Sequence, residues 1–151
     1  MHRDLKSPNV MVNSENVAKI GDFGLSRIQD HTKTMTICGS PLWTSPEMLQ
    51  SKVYTEKVDV YSFAIILWEL WTWDEPFPKM MVFAVVRGVV ENDARPTLRK
   101  EMPQKWVDIM KRCWVRQPEK RPDMSSIAKE LSLWWMQEYG NIAVQDKIEN
   151  E

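Results

Sequence analysis

Met1-His2-Arg3-Asp4-Leu5-Lys6-Ser7-Pro8-Asn9 opens the chain, and Asp22-Phe23-Gly24 follows it across two short apolar runs. Those two blocks and the stretch between them decide the fold. The runs are Val10-Met11-Val12-Asn13 and Val17-Ala18-Lys19-Ile20, separated by Asn13-Ser14-Glu15-Asn16. Turn residues between two apolar runs predict a β-hairpin. Gly21 and Gly24 bracket Asp22-Phe23, and glycine's freedom at both positions predicts a tight, unusual backbone there.

Further along, residues 25–45 are polar, rich in Ser and Thr, and without clear period. Loops of that length in a compact domain are functional or disordered. Pro46-Glu47-Met48-Leu49-Gln50 reads as a short helix capped by Ser45 with Pro46 in its first turn. From Thr55 to about Trp73 the chain is apolar on nearly every face past Val60, the pattern of a buried central helix. Asp74-Glu75-Pro76-Phe77-Pro78 breaks it, and Lys79 to about Gly88 reads as a further short helix. Pro103 to Trp114 is amphipathic, with apolar residues at 106, 107, 109, 110, 113 and 114. Met124 to Met136 is the last strong helix, and past Gly140 a polar tail is expected to fray. Neither an internal repeat nor a low-complexity linker is present. The expected architecture is mostly α with a small β-hairpin.

The 151 residues suffice for one compact domain with a core. At 43% hydrophobic and 27% charged, the composition is that of a soluble globular protein. Twenty Lys and Arg against 21 Asp and Glu leave a net charge of −1, which gives no electrostatic case for nucleic acid or an anionic membrane surface. Cys38 and Cys113 form no CxxC and no metal-ligand spacing. A reducing, cytoplasmic compartment with free thiols fits them. No apolar segment follows Met1 that could serve as a signal peptide. The most apolar run, Phe63 to Trp71, is too short to span a bilayer and contains Glu69. Most of the eight tryptophans sit at core-like helical spacing and read as packing.

The two opening blocks fit H-R-D-L-x-x-x-N and D-F-G. Ser45-Pro46-Glu47, Asp59 to Phe63, and Cys113-Trp114 with Arg121-Pro122 follow in the same order as in protein kinases. Each fixed position matches by chance roughly one time in twenty, so ordered agreement leaves little room for accident. Over residues 1–136 the chain resembles the C-terminal lobe of eukaryotic protein kinases of the tyrosine-kinase-like group, with 137–151 a polar tail.

The resemblance implies an ATP-dependent phosphoryl transferase using Mg²⁺ and acting on a protein substrate. It makes Asp4 the group that accepts or orients the substrate hydroxyl's proton, and Lys6 the charge facing the transferring phosphate. Asn9 and Asp22 would hold Mg²⁺ through hard oxygens. Taken singly, these four are ordinary surface or turn residues; set in these motifs, the catalytic reading prevails. His2 and Phe23 are implied as packing elements. Arg3, with Arg27 beside it, would pair with a phosphorylated loop residue, for which Ser26, Thr32, Thr34 and Thr36 are candidates. Ser40 would hydrogen-bond towards Asp4 and Lys6. Glu47 would pair with Arg121, and Asp59 would accept from the catalytic-loop backbone. Lys6 and Ser40 resemble serine/threonine kinases, whereas Trp43 to Glu47 and Cys113-Trp114 resemble tyrosine kinases; Ser/Thr substrates are favoured.

The chain departs from the family pattern in three local positions: Ser45 for Ala, Tyr61 for Trp, Ala64 for Gly. Larger is the absence of the N-lobe, with its G-x-G-x-x-G loop and V-A-I-K lysine. Met1 stands where the family has an apolar residue before His-Arg-Asp, which suggests an internal methionine of a longer frame. An N-lobe supplied by a longer chain is therefore the expected partner, and this segment alone is expected to be inactive. The competing reading is a non-catalytic lobe that binds substrates or another kinase.

Overall fold

The computed structural model describes residues 1–26 and 40–139, which divide into two units, Met1–Arg121 and Pro122 onward. In the first unit a 3₁₀ turn (Ser7–Asn9) leads into β1 (Val10–Val12), β2 (Ala18–Ile20) and a second 3₁₀ turn (Phe23–Leu25). After the loop come α1 (Pro46–Leu49), α2 (Lys57–Thr72), α3 (Val82–Asn92) and α4 (Gln104–Cys113). The second unit is α5 (Met124–Tyr139). The fold is thus mostly helical with one antiparallel hairpin, in line with the sequence reading. No helix among the described residues is long and apolar enough to cross a membrane.

The hairpin pairs Val10 with Ile20 and Val12 with Ala18. Its turn is closed by Asn13, whose Oδ1 accepts from the N–H groups of Glu15 at 3.0 Å and Val17 at 2.8 Å. The unusual backbone beyond it belongs to Asp22, not to the flanking glycines. Asp22 adopts the left-handed conformation (φ 56°), which a short polar side chain tolerates. Gly21 instead answers a lack of room: a Cβ there would meet the Met11 methyl at 2.6 Å.

α2 is the core element. Val58, Val60, Tyr61, Ser62 and Ala64 through Trp68 are buried, and α4 packs against the helix. Its last turn departs from the expected burial all round: Leu70 is exposed, and Trp73 is 92% exposed at a left-handed helix cap. Trp135 is exposed as well, so the core reading of the tryptophans fails at these positions. Trp68 and Trp114 are buried.

α3 starts later than expected and runs through Gly88. Left-handed Phe77 and Lys79 delay its start, and left-handed Asp93 ends it. Gly88 is explained by contact, because a Cβ there would lie 3.3 Å from the Ala94 Cβ. A small core under this helix joins Phe77, Val85 and Val89 to Leu42, Leu49 and Ala94.

Ser45 does not cap α1 through its side chain. Its backbone carbonyl accepts from Met48 and Leu49, while its buried hydroxyl has no hydrogen-bond partner. An unsatisfied buried hydroxyl opposes folding. Ser45→Ala is expected to stabilise the chain by about 1 kcal/mol, read as a higher urea midpoint. A lower midpoint would show that the hydroxyl has a partner.

Candidate active site

Asp59, in the first turn of α2, fixes the opening segment. Its Oδ2 accepts from the His2 N–H at 2.7 Å and its Oδ1 from the Arg3 N–H at 2.9 Å. Both bonds are charge-assisted and hold Arg3 in its left-handed conformation (φ 72°). His2 then reaches the hairpin's far end: Nε2 donates to the Gly21 carbonyl at 2.9 Å. A carbonyl can only accept, so Nε2 carries the proton and Nδ1 is free to accept from the Asp4 N–H at 3.3 Å. The His2 ring meets Phe23 edge-on at 4.9 Å, although Phe23 stays mostly exposed. The buried Arg3 guanidinium donates to the Leu25 carbonyl and to the Tyr54 hydroxyl.

With the backbone held, Asp4, Lys6 and Ser40 converge. Lys6 Nζ lies 2.9 Å from Asp4 Oδ2 and 2.7 Å from Ser40 Oγ. The Ser40 N–H donates to Asp4 Oδ1 at 2.9 Å. One carboxylate oxygen thus faces an ammonium and the other a backbone donor. A carboxylate has about four lone-pair positions, so each oxygen keeps one for a further donor.

Asn9 closes the loop behind them. Its Nδ2 donates to the Asp4 carbonyl at 2.9 Å, which leaves its amide oxygen outside that bond. Its own carbonyl accepts from the Gly21 N–H at 2.9 Å, tying the loop to the residue before Asp22. Asp22 is exposed and its Oδ1 accepts only weakly from Gly24 N–H at 3.4 Å. An amide oxygen and a lightly engaged carboxylate are a fitting protein contribution to Mg²⁺, which keeps waters and phosphate oxygens as its other ligands. Among the described residues no set of three or more His, Cys, Asp or Glu could hold a metal without such help.

Two supports sit below. Glu47 and Arg121 form a bidentate pair, Oε1 to Nη1 at 2.6 Å and Oε2 to Nη2 at 2.9 Å. Arg121 also donates to the carbonyls of Val115, Lys57 and Arg116. The guanidiniums of Arg95 and Arg121 each lie over the Tyr61 ring, at 5.0 Å and 5.2 Å from its centroid. Burial pushes the Tyr61 hydroxyl up to about 12 against the pull of both arginines.

The second support is Glu69, which the sequence reading noted only as a charge in an apolar run. Its Oε1 accepts from the Ser7 hydroxyl at 2.8 Å and its Oε2 from the Trp43 indole at 2.7 Å. It therefore clamps the Asp4 loop to the segment that carries Ser40. Burial raises its carboxyl above the ordinary 4.5, the Trp43 and Ser7 bonds pull it back, and Glu75 adds to the rise. The folded state holds this proton more tightly than the unfolded chain. Glu69's contribution is thus fully present below 4.5 and lost as pH rises through the raised value. The stability of the wild type relative to Glu69→Gln is expected to fall as pH climbs from 4.5 through the raised value, and to level off above it. Urea midpoints across that range check it, and a pH-independent difference would overturn it.

Arg27, Thr32, Thr34 and Thr36 lie outside the described residues, as does Cys38.

Residues 1–131 match the family model for protein tyrosine and serine/threonine kinases. The chain belongs to that family. It is 45% identical over 87% of its length to the probable serine/threonine-protein kinase drkB of Dictyostelium discoideum, covering 19% of that protein. It is 41% identical over 87% of its length to the serine/threonine-protein kinase/receptor R818 of Acanthamoeba polyphaga mimivirus, covering 8% of it. Against the dual specificity protein kinase shkA of Dictyostelium discoideum the identity is 36%, over 87% of the chain and 26% of the relative. The chain spans about a quarter or less of these relatives.

Proposed function

We propose that residues 1–136 are the C-terminal lobe of an ATP-dependent protein serine/threonine kinase, followed by a polar tail. The convergence of Asp4, Lys6 and Ser40 carries this reading. In it Asp4 accepts the substrate hydroxyl's proton through a lone pair that Ser40 and Lys6 leave open. Lys6 stands beside that position as fixed positive charge, and Ser40 holds both side chains in register. Asn9 and Asp22 hold Mg²⁺; when bound, Mg·ATP supplies the phosphoryl group and the counter-charge on its oxygens. Arg3, anchored next to Leu25, would receive a phosphorylated residue of the loop in this reading. The Lys6 position and the names of the relatives support Ser/Thr substrates.

A second lobe of a longer chain completes the site in this reading. Met11, Val12, Ile20 and Phe23 are each at least half exposed, apolar surface of the kind that takes a partner. That exposure also favours the non-catalytic alternative, a lobe that only binds.

Calorimetry of Mg·ATP on the purified chain separates them, with Asp22→Asn as control. The expected outcome is no binding by the isolated segment. Joined to its own upstream sequence, the segment is expected to bind in the micromolar range and to lose that binding in Asp22→Asn. An extended chain that folds and still ignores Mg·ATP would leave only the binding role.

A further inference from the structure

Glu69 grips two segments that meet again at Asp4. On one side its Oε1 accepts from the Ser7 hydroxyl at 2.8 Å, and Ser7 lies three residues after Asp4. On the other its Oε2 accepts from the Trp43 indole at 2.7 Å. The Trp43 backbone N–H donates to the Ser40 carbonyl at 3.0 Å, and the Ser40 N–H donates to Asp4 Oδ1 at 2.9 Å. The contacts from Glu69 through Trp43 and Ser40 to Asp4, and back through Ser7, form a closed ring.

The two donors in that ring are unlike. An indole N–H can only donate, whereas a hydroxyl donates or accepts. A proton taken up from water therefore settles on Oε1. The carboxyl O–H then donates to Ser7 Oγ, whose own hydrogen turns away, and Oε2 still accepts from Trp43. Both contacts survive, but the indole bond becomes neutral, and charge-assisted bonds are roughly twice as strong as neutral ones. The charged groups beside Glu69 are Glu75 and Asp74, the latter paired with Arg99, and among the described residues no Lys, Arg or His lines the groove they share. Burial raises the Glu69 carboxyl, the Trp43 and Ser7 bonds oppose that, and Glu75 adds to it.

We propose that Glu69 is a positioning residue with two settings: as a carboxylate it holds the Ser40–Trp43 segment tightly to the Asp4 loop, and with a proton it keeps both contacts but loosens that segment. That the segment bears a peptide substrate rests on the kinase reading above; the proton-dependent grip does not.

Glu69→Gln reproduces the protonated setting at any pH, since its amide oxygen accepts from Trp43 while its amide N–H donates to Ser7. Heteronuclear NMR of the chain follows the Trp43 indole, identified by its loss in Trp43→Phe. The wild-type signal is expected to titrate with a midpoint above 4.5 and the Glu69→Gln signal to stay still. Ser7→Ala removes a donor that favours the carboxylate and should move the midpoint further up. Near neutral pH, where acid unfolding does not intervene, the indole hydrogen should exchange with water about fivefold faster in Glu69→Gln than in the wild type. A wild-type indole that does not titrate, a Glu69→Gln indole that does, or equal exchange in the two overturns the proposal. In the longer polypeptide, the peptide KM of the wild type should rise about three- to fivefold as pH falls through the same midpoint, while that of Glu69→Gln is high throughout. A support that served the fold alone would lower the urea midpoint and leave this KM profile unchanged. Absence of phosphoryl transfer by the wild type would sink the kinase reading, and the indole titration would still decide the grip.

Discussion

Glu47→Ala is expected to remove about 3–5 kcal/mol of stability, because it strands a buried guanidinium without its counter-ion. The Arg121 side chain is 0% exposed and that of Glu47 8%. A small domain has only about 5–15 kcal/mol in total, so the variant should be largely unfolded near physiological temperature. Arg121 does more than neutralise a charge. Its remaining donors serve the carbonyls of Val115, Lys57 and Arg116, while Lys57 Nζ donates to the Arg121 carbonyl at 2.9 Å. Removing both charges with Glu47→Leu and Arg121→Met relieves the stranded ion but orphans those carbonyls, at about 1–3 kcal/mol each if they stay buried. The double variant should therefore recover only part of the loss. Urea unfolding followed by circular dichroism measures both. A Glu47→Ala loss below about 1 kcal/mol would mean that water reaches the guanidinium and that the pair behaves as a surface one.

That pair also shows what one sequence can and cannot reveal. Its partners stand 74 residues apart, so no local pattern joins them; they were legible only through resemblance to a family. The same holds for Ser40 with Asp4. Asn13 and Pro46, in contrast, announce their turn and helix start from local chemistry, and the hairpin and α1 lie where those residues put them. Helix ends were less legible, since Trp73 and Asp93 take left-handed caps that glycine would have signalled and Gly88 did not. Arg95 carried no signal, because nothing near it in sequence points to the Tyr61 ring. Glu69 did carry one that could have been used. An acid inside a helix that is apolar all round must find donors, and the hydroxyl and indole it found lie 62 and 26 residues away. Periodicity reports which face a residue takes, but not where the packing partner runs out, and so it gave Trp73 the same reading as Trp68.

On the kinase reading proposed above, Asp4→Asn should lower phosphoryl transfer by about 10²–10⁴-fold once a second lobe completes the site, the range expected for losing a proton acceptor. The substitution is chosen because it keeps the side chain's size and one of its two contacts. The amide oxygen still accepts from the Ser40 N–H and Lys6 keeps its bond to Ser40 Oγ, while the ion pair to Lys6 is lost because the amide nitrogen that replaces Oδ2 is a donor like Lys6 Nζ. The urea midpoint should stay near that of the wild type, and the KM for peptide should hardly move while kcat falls. That split separates a group acting on the reacting hydroxyl from one that only shapes the peptide site. Lys6→Met should also reduce kcat, and the double variant should be little worse than Asp4→Asn alone, since the two side chains share one 2.9 Å contact and act as a unit. A loss below about tenfold for Asp4→Asn would fall short of the smallest effect expected of general base catalysis and would move Asp4 from chemistry to scaffolding. Full additivity of the two substitutions would separate their roles, leaving Lys6 to act on the phosphate without help from the carboxylate beside it.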